Sequence, residues 1–511
     1  MATFELDDFL RATKVLEALA EDRTLLTGLD EPQRVALLIA AGRVSRPTRH
    51  EVVRAAKAFR RIARKNVQNA DRDARASTGI RVARTAPVFV PPALVEGRAP
   101  AGEEAPRELA NPRGCYVCKD EFRRLHFFYD SMCPSCAELN YRKRSQTASL
   151  EGRVALITGA RIKIGYQAAL MMLRAGARVL VTTRFPRDAA ARFAREPDFS
   201  AFADRLRVYG LDLRHSPSVE LFARYLTRTE PRLDILINNA AQTVRRPPGF
   251  YAHMLDLELQ PDAQLPPELR HVLRGHEDCK AALPGAPALA LGDAASTGIV
   301  GFRGASPTLG IHASAALSQI TSAYDDVTDP REAFPEGQAD ADLQQVDLRA
   351  TNSWRLTLGD VPSPEMLEVQ LVNAVAPFIL ASKLKPLMAR ERTDQKHIVN
   401  VSAVEGQFAR RTKTDKHPHT NMAKAALNMM TLTSAPEYAT SGIFMNAVDT
   451  GWVTDEDATV LAARKREMHD FQPPLDIIDG AARICDPFFS GLLTGVHVFG
   501  KFLKDYAPAA W

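Results

Sequence analysis

The feature that most constrains the fold is a buried strand followed by a glycine turn and an apolar helix. Residues 153–159 read Arg-Val-Ala-Leu-Ile-Thr-Gly, and Gly165 begins a helix with apolar residues at Ala168, Leu170 and Leu173. In this order of elements, the N-terminus of the helix points at a phosphate group of a dinucleotide. The pattern predicts an α/β fold with a doubly wound parallel sheet.

Four of the six cysteines form two Cys-x2-Cys pairs within one short segment. Cys115 and Cys118 are separated from Cys133 and Cys136 by 14 residues. Four thiolates supply the closed tetrahedral ligand set that zinc prefers in structural sites, with no position left open for catalysis. The spacing predicts a structural zinc site in a zinc-ribbon-like module, which we expect to join the N-terminal part to the next domain.

At 511 residues the chain exceeds what one hydrophobic core usually supports, so several domains are expected. We predict a small helical basic region at 1–85, a Pro-rich linker at 86–113, the zinc module at 114–148 and a Rossmann-like domain at 149–511 with an insertion at about 243–365. No apolar run is long enough to cross a bilayer, and the N-terminus lacks a secretory pattern. With so few cysteines, these features predict a cytoplasmic protein without a membrane segment.

Positive charge is concentrated near the N-terminus. Between Arg43 and Arg84 there are 13 Lys or Arg residues and three acids. After Thr48, apolar residues follow a helical stripe, and the basic residues occupy the remaining faces. Two hypotheses stay open, an anion-binding helix and the solvated basic face of a packed bundle. No motif supports nucleic acid as a partner, because an aromatic platform for stacking bases is not evident.

The second strand of the α/β domain, at residues 178–184, ends in Arg184 rather than in an acid. NAD-binding folds place Asp or Glu here to hold the ribose hydroxyls, whereas an arginine accommodates a 2′-phosphate. Arg184, with Arg161 or Arg187 as a helper, therefore predicts NADP(H) as the cofactor.

Further motifs follow in an order that resembles the short-chain dehydrogenase/reductase family. They are Thr158-Gly159-Ala-Arg161-Ile-Lys163-Ile164-Gly165, Leu211-Asp212-Leu213, Asn238-Asn239-Ala240-Ala241, Leu371-Val-Asn373, Asn400-Val-Ser402 and Met422-Ala-Lys424. Lys163 stands where the family has the middle glycine of its turn. The resemblance implies that homo-oligomers are common, and it implies cofactor contacts from Thr158, Gly159, Arg161, Lys163, Ile164, Gly165, Arg184, Asp212, Leu213, Asn239, Ala240 and Lys424.

Two catalytic positions depart from the resembled family. Its members donate a proton from a tyrosine four residues before the lysine, and Thr420 stands there in this chain. Strict alignment places Ala403 at the family's serine, although the neighbouring Ser402 is a candidate for that role. Lys424 and Asn373 are retained.

Three hypotheses for the missing tyrosine stay open. In the first, His417 or His419 supplies the proton, because the pKa of histidine lies near neutrality. In the second, Tyr166, Tyr251 or another hydroxyl enters the site. In the third, the cofactor is bound but not turned over.

The preferred hypothesis is an NADP(H)-dependent oxidoreductase that moves hydride to or from the carbonyl or alcohol carbon of a small molecule. The catalytic candidates are Lys424, Asn373, Ser402, His419 and Thr420. Five insertion residues are candidates for substrate contact or for internal salt bridges of a lid, namely Arg245, Arg246, Asp347, Arg349 and Trp354. The alternative is a catalytically silent NADP(H)-binding sensor or scaffold, or a nucleic-acid-associated regulatory protein.

Overall fold

The computed structural model describes residues 4–89, 107–283, 306–320, 330–410 and 412–511. The chain divides into two compact units, Met1–Arg72 and Asp73–Trp511. Most of the predicted linker, residues 90–106, lies outside the described residues.

The helices and strands of the described residues have the following bounds. The helices are α1 (Leu6–Glu21), α2 (Glu31–Ser45), α3 (Arg49–Ala76), α4 (Gly79–Ala83), α5 (Pro134–Arg144), α6 (Lys163–Arg174), α7 (Pro186–Ala194), α8 (Phe199–Phe202), α9 (Ser216–Thr229), α10 (Ala252–Glu258), α11 (Pro267–Ala282), α12 (Leu309–His312), α13 (Pro330–Ala333), α14 (Ser363–Gln370), α15 (Ala376–Ala389), α16 (Pro418–Ala439), α17 (Thr459–His469) and α18 (Ile477–Thr494). The strands are β1 (Glu108–Gly114), β2 (Glu121–Arg124), β3 (Val154–Thr158), β4 (Arg178–Thr183), β5 (Leu206–Gly210), β6 (Ile235–Asn238), β7 (Lys396–Ser402), β8 (Ile443–Asp449), β9 (Phe502–Lys504) and β10 (Ala507–Ala509).

A sheet of eight strands lies at the centre of the second unit, in the order β10-β9-β8-β7-β6-β3-β4-β5. The strands from β3 to β9 are parallel, and β10 returns antiparallel to β9. Read from β5, this is the Rossmann order 3-2-1-4-5-6 with an added parallel strand and a hairpin strand. The predicted doubly wound α/β fold is confirmed, and the strand order reverses between β3 and β6.

The sheet is covered on both faces, which explains its uninterrupted apolar strands. All five residues of β3 are buried, as expected for a parallel strand between two helical layers. One layer contains α6 and α18, with Leu170 and Phe488 buried against the sheet. The other contains α9 and α15, with Phe222 and Leu384 buried.

Contrary to the expectation from sequence that no apolar run reaches this length, one described helical stretch, Ser363–Ala389, is long and apolar enough to cross a membrane by length and composition. It consists of α14, five residues of π-helix (Leu371–Val375) and α15. Leu380 and Leu387 on this stretch are buried in the second core layer. Packing inside the domain therefore accounts for its apolar composition.

The four-cysteine module, defined here as residues 107–144, consists of the β1–β2 hairpin and α5. Strand β1 occupies the end of the predicted linker. Its register shifts between Glu108 and Arg113, where Pro112 has no N–H to donate. The short helix α4 packs onto the module with Ile80 fully buried, so the division between units falls before α4 and not after residue 85.

The first unit contains α1, α2 and most of α3, and none of its described residues is buried. Phe59 and Ile62 on the apolar stripe of α3 are 70% and 56% exposed. The unit therefore does not form the packed bundle of the second hypothesis, and α3 remains a basic amphipathic helix.

Candidate functional site

A cavity of about 350 Å³ lies at the carboxyl edge of the sheet, where the strand order reverses. It is bordered by the turn after β3, the ends of β4 and β5, and the chain after β6. Ten of the predicted cofactor residues line it, namely Gly159, Arg161, Lys163, Ile164, Gly165, Arg184, Asp212, Leu213, Asn239 and Ala240. Ligands of open α/β sheets bind at this switch point.

At the base of the cleft, hydrogen bonds of Thr158 and Asn239 connect the end of β3 to the chain after β6. The Thr158 hydroxyl accepts from the backbone N–H groups of Asn239 (3.1 Å) and Ala240 (3.0 Å). In return, the Asn239 amide donates to the carbonyls of Thr158 (2.9 Å) and Gly159 (3.1 Å). A Cβ on Gly159, whose φ is +68°, would lie 2.8 Å from the Cα of Ala240, so only glycine allows this close approach.

Lys163 begins α6 with a φ of +55°, the left-handed region that a glycine would occupy without strain. Its ammonium lies 3.8 Å from Asp342, which the insertion contributes. Burial alone would lower the pKa of Lys163, but the carboxylates of Glu456, Asp342 and Asp340 outweigh burial and raise it. The turn therefore presents a stable cation to the cleft.

Arginines gather around Tyr251 at the end of β4. Arg184 donates to the Tyr251 hydroxyl (3.0 Å), and its guanidinium carbon lies 4.8 Å from the ring centre. Burial would raise the pKa of Tyr251, but Arg184, Arg246 and Arg161 together lower it. The charges of Arg161 and Arg246 are partly balanced by Asp188 and Asp347. This end of the cleft therefore carries a positive field.

Asp212, at the end of β5, is buried and paired with Arg214 at 2.7 Å. Arg214 also contacts Glu368 at 3.0 Å. Glu368 accepts from the side chain of Gln242 (3.1 Å) and lies 3.3 Å from Arg245. Sequence reasoning missed Glu368, because a single acid on a helix gives no signal until the fold brings its partners together.

None of the five catalytic candidates is among the described residues that line the cavity. Asn373 lies in the π-helical segment, where its Oδ1 accepts from the backbone of Gln242 at 2.7 Å. Lys424 donates to the carbonyl of Val401 at 2.7 Å, and burial lowers its pKa to about 8 although Glu405 and Asp449 act in the opposite direction.

The first turns of α16 carry polar atoms without hydrogen-bond partners among the described residues. They are Nδ1 of His419, Oγ1 of Thr420, Oδ1 of Asn421 and Nδ2 of Asn428. Ser402 donates to Oδ1 of Asn428 at 2.5 Å, and Nε2 of His419 lies 3.2 Å from Glu365. Buried polar atoms normally have partners, so each of these four atoms is a place where a water or a polar ligand group would bind.

The other proposed proton donors point elsewhere. His417 stacks on Trp354, with ring centres 3.9 Å apart and an interplanar angle of 6°. Tyr166 donates to Glu196 at 2.7 Å and packs on Phe193. Tyr251 lies at the arginine end of the cleft. Of the two predicted histidines, His419 is the one with a ring nitrogen that has no partner among the described residues.

The insertion reaches the cleft with Arg246, Tyr251 and Gln344. Of the other insertion residues singled out from sequence, Arg349 is paired with Asp347 at 2.8 Å. The turn that carries Asp342 was not foreseen, because its contact with Lys163 joins residues far apart in the chain.

The four predicted metal ligands come together. The sulfurs of Cys115, Cys118, Cys133 and Cys136 all lie within 4.8 Å of one another. Those of Cys118 and Cys133 are 3.7 Å apart. A tetrahedron with Zn–S bonds of about 2.3 Å has edges of about 3.8 Å, so the donor set fits zinc.

Two family models match the second unit. Residues 153–254 match the model of the short chain dehydrogenases. Residues 350–474 match the model described as enoyl-(acyl carrier protein) reductase. The unmatched stretch between them falls within the insertion predicted at about 243–365.

The uncharacterized protein R665 of Acanthamoeba polyphaga mimivirus is 29% identical over 388 residues, which are 74% of this chain and 71% of that protein. The dehydrogenase/reductase SDR family member 13 of Bos taurus is 43% identical over 94 residues, only 24% of its length. The RhlG/NADP active-site complex of Pseudomonas aeruginosa is 18% identical, with 70% of this chain and 95% of that chain covered and a TM-score of 0.40. At that TM-score, the likeness adds nothing to the fold described above.

Proposed function

Because the domain from residue 153 onward belongs to the short-chain dehydrogenase/reductase family, we propose that the chain is an NADP(H)-dependent oxidoreductase acting on a small molecule. When bound, the cofactor supplies or accepts hydride at a carbonyl or alcohol carbon. The observation that carries the proposal is a cleft at the switch point with a glycine turn in its middle and a positive cluster at one end.

The positive cluster is a suitable receptor for the 2′-phosphate of NADP(H). Arg184 follows β4 where an NAD-specific fold has an acid, and its guanidinium is held by Tyr251. Arg161 and Arg246 add charge from the glycine turn and the insertion. Charge-assisted hydrogen bonds to a phosphate are about twice as strong as neutral ones, so the cluster favours the phosphorylated cofactor.

Proton transfer falls to His419 in this proposal. With Nε2 of His419 hydrogen-bonded to Glu365, Nδ1 is the ring atom left for proton exchange: it must carry the proton when a carbonyl is reduced, and it accepts that proton when an alcohol is oxidised. That atom has no partner among the described residues and lies on the same helix as Lys424. Thr420 is a weaker acid than a phenol, so its unpartnered hydroxyl is better suited to holding a water or the substrate oxygen.

Lys424 and Asn373 keep positioning roles. Lys424 would hold the ribose of the nicotinamide half, which requires its ammonium to turn from the carbonyl of Val401. Asn373 fixes the backbone of Gln242, which lines the cleft, through hydrogen bonds at both amide atoms. The π-helical segment places Asn373 there, and such segments are frequent at functional sites.

The test is a screen of aldehydes and ketones for NADPH oxidation, followed by paired histidine variants. We expect His419→Gln to lower kcat by about 100-fold or more, the usual contribution of a general acid. His417→Asn is the matched control, because asparagine tolerates the φ of +43° at this position. Loss of activity in His417→Asn with full activity in His419→Gln would reverse the assignment.

A second candidate is a cofactor-binding sensor or scaffold without turnover. It is favoured by the absence of all five catalytic candidates from the described lining of the cavity. NADPH binding without oxidation by any carbonyl compound, in wild type and Lys424→Ala alike, would support it.

The nucleic-acid-associated form of this second candidate is based on the nine Lys or Arg residues of α3. That form predicts salt-sensitive retention on nucleic acid that is lost on removal of the first unit.

The remaining expectations stay proposals. We place the protein in the cytoplasm, since none of its six cysteines forms a disulfide in the structure. The insertion is proposed as a lid over the cleft, and a homo-oligomer is the expected assembly.

A further inference from the structure

We infer that the four-cysteine module binds zinc and thereby fixes residues 451–475, which we name the border segment, against the cleft. The segment follows β8, includes α17 and lines the cleft with Thr454 and Glu456. The effect on catalysis rests on the proposed function, whereas the effect of zinc on the segment does not.

Backbone turns and a hydrogen bond bring the two cysteine pairs of the metal site together. Lys119, directly after the first Cys-x2-Cys pair, has a φ of +71°, which closes a tight turn around Cys115 and Cys118. The Sγ of Cys115 accepts from the backbone N–H of Cys133 at 3.3 Å, so the two knuckles are joined. All four ligands are thiolates, which makes the site closed and structural.

Tyr116, between the first two cysteines, holds the beginning of the border segment. Its hydroxyl accepts from the backbone N–H of Trp452 at 2.9 Å. Gly451 has a φ of +75°, and a Cβ on it would lie 2.5 Å from Leu475 and 3.0 Å from the Tyr116 hydroxyl. The first knuckle, the beginning of the segment and its end therefore meet at one point.

The end of the border segment enters the core of the module. Leu475 is fully buried there, in one cluster with Val453 and Cys115. Arg84 donates to the carbonyls of Pro473 (2.5 Å) and Leu475 (2.6 Å). Both ends of the segment are therefore anchored in the core beside the metal site, and loss of the metal is expected to loosen that core.

The sheet does not depend on that core. Its two apolar clusters contain no residue of the four-cysteine module. Removing the metal should therefore release the border segment while leaving β3, β4 and β5 intact. The module joins the domain through α5 and α18, where Arg144 bridges Asp476 and Asp479.

The experiment uses the full chain with zinc bound and after chelation. We expect one zinc per chain, and chelation should raise amide exchange in residues 451–475 by about 10-fold or more while exchange in β3–β5 changes less than about twofold. Trp452, isolated by Trp354→Phe and Trp511→Phe, should shift its emission on chelation and recover on adding zinc. Three results would each overturn the inference: a full chain that binds no zinc, amide exchange in residues 451–475 that chelation leaves unchanged, or unfolding of the sheet on chelation.

Tyr116→Phe tests the coupling without removing the metal. It keeps the ring and removes the acceptor of the Trp452 N–H, so exchange near residues 451–454 should rise with zinc content unchanged. Tyr141→Phe, the same change on α5 of the module, is the matched control. If the carbonyl reductase activity exists, Tyr116→Phe should raise KM for the carbonyl compound with little change in kcat. If the chain has no such activity, amide exchange and Trp452 emission still test the coupling. Equal exchange of residues 451–454 in Tyr116→Phe and Tyr141→Phe would overturn it.

Discussion

Lys424 is a buried catalytic candidate whose charge depends on pH in the physiological range. It is buried beside β7, and its ammonium reaches the carbonyl of Val401. Burial removes water from the charge and lowers the pKa to about 8, while Glu405 and Asp449 limit the shift. The residue therefore changes charge close to physiological pH.

The rate of carbonyl reduction should fall above about pH 8, because Lys424 would then lose the charge that is proposed to hold the ribose hydroxyls. The measurement is a pH profile of kcat/KM with NADPH in excess. Lys383, an exposed lysine paired with Glu220, supplies the control Lys383→Ala, which should keep the same profile. An alkaline limb near pH 10 would show that Lys424 has its ordinary pKa.

The identities of Lys424 and Asn373 could be predicted because their motifs are local in sequence. The surroundings of His419 could not. Whether Nδ1 of His419 has a partner depends on which loops pack against α16, and Glu365 comes from a helix 54 positions earlier. The sequence offered both histidines as donors and only His419 was named a catalytic candidate; the stacking of His417 on Trp354 favours the same choice.

At the scale of elements, the turn into α6 combines a phosphate-directed helix with an unusual first residue. Lys163 has a φ of +55° at a position where the family uses glycine. A side chain in the left-handed region costs about 1 kcal/mol relative to glycine. Lysine at this position therefore costs stability relative to glycine, and a role for its amine in the cleft would offset that cost.

Lys163→Gly and Lys163→Ala separate the amine from the backbone. Both variants lose the charge, so both should bind NADPH more weakly by about 10-fold. The glycine variant should be more stable than the alanine variant by about 1 kcal/mol, because only alanine keeps the strain. Urea unfolding without cofactor measures the difference. Equal stabilities would mean that φ at this position is not positive in solution.

The elements themselves were predictable where their signals are local. Thr48 and Glu51 have the three-residue spacing of a capping box, and the Thr48 N–H donates to Glu51 at 2.8 Å. The apolar run of β3 and the glycine turn gave the α/β fold. Strand β1 was assigned to a linker, because Pro112 within it and the prolines before it argue against a strand and its pairing with β2 is visible only in three dimensions.

At the scale of the whole molecule, two buried histidines make the fold sensitive to acid. Burial lowers the pKa of both His276 and His397 to about 3. Nδ1 of His276 accepts from the backbone of Gly210 at 3.3 Å, and His397 shares a hydrogen bond with His497 at 3.0 Å. Protonation would break the first of these contacts and place a charge in the core.

Stability should therefore fall as the pH drops below about 6.5, because the unfolded chain takes up protons that the folded chain excludes. At pH 5 each histidine should cost about 2 kcal/mol of unfolding free energy relative to pH 7. His276→Gln should remove about that much of the pH dependence in urea unfolding. His271→Gln, at a half-exposed histidine, should not. The same loss between pH 7 and pH 5 in wild type and His276→Gln would contradict this account.

The preference for NADP(H) is tested by measuring the binding of NADPH and NADH to wild type, Arg184→Ala and the surface control Arg174→Ala. Wild type and Arg174→Ala should bind NADPH at least about 10-fold more tightly than NADH, because in the proposed function Arg184 would make charge-assisted hydrogen bonds to the 2′-phosphate. Arg184→Ala should lose most of this preference by weakening NADPH alone. NADH binding that equals or exceeds NADPH binding and ignores Arg184→Ala would contradict the account.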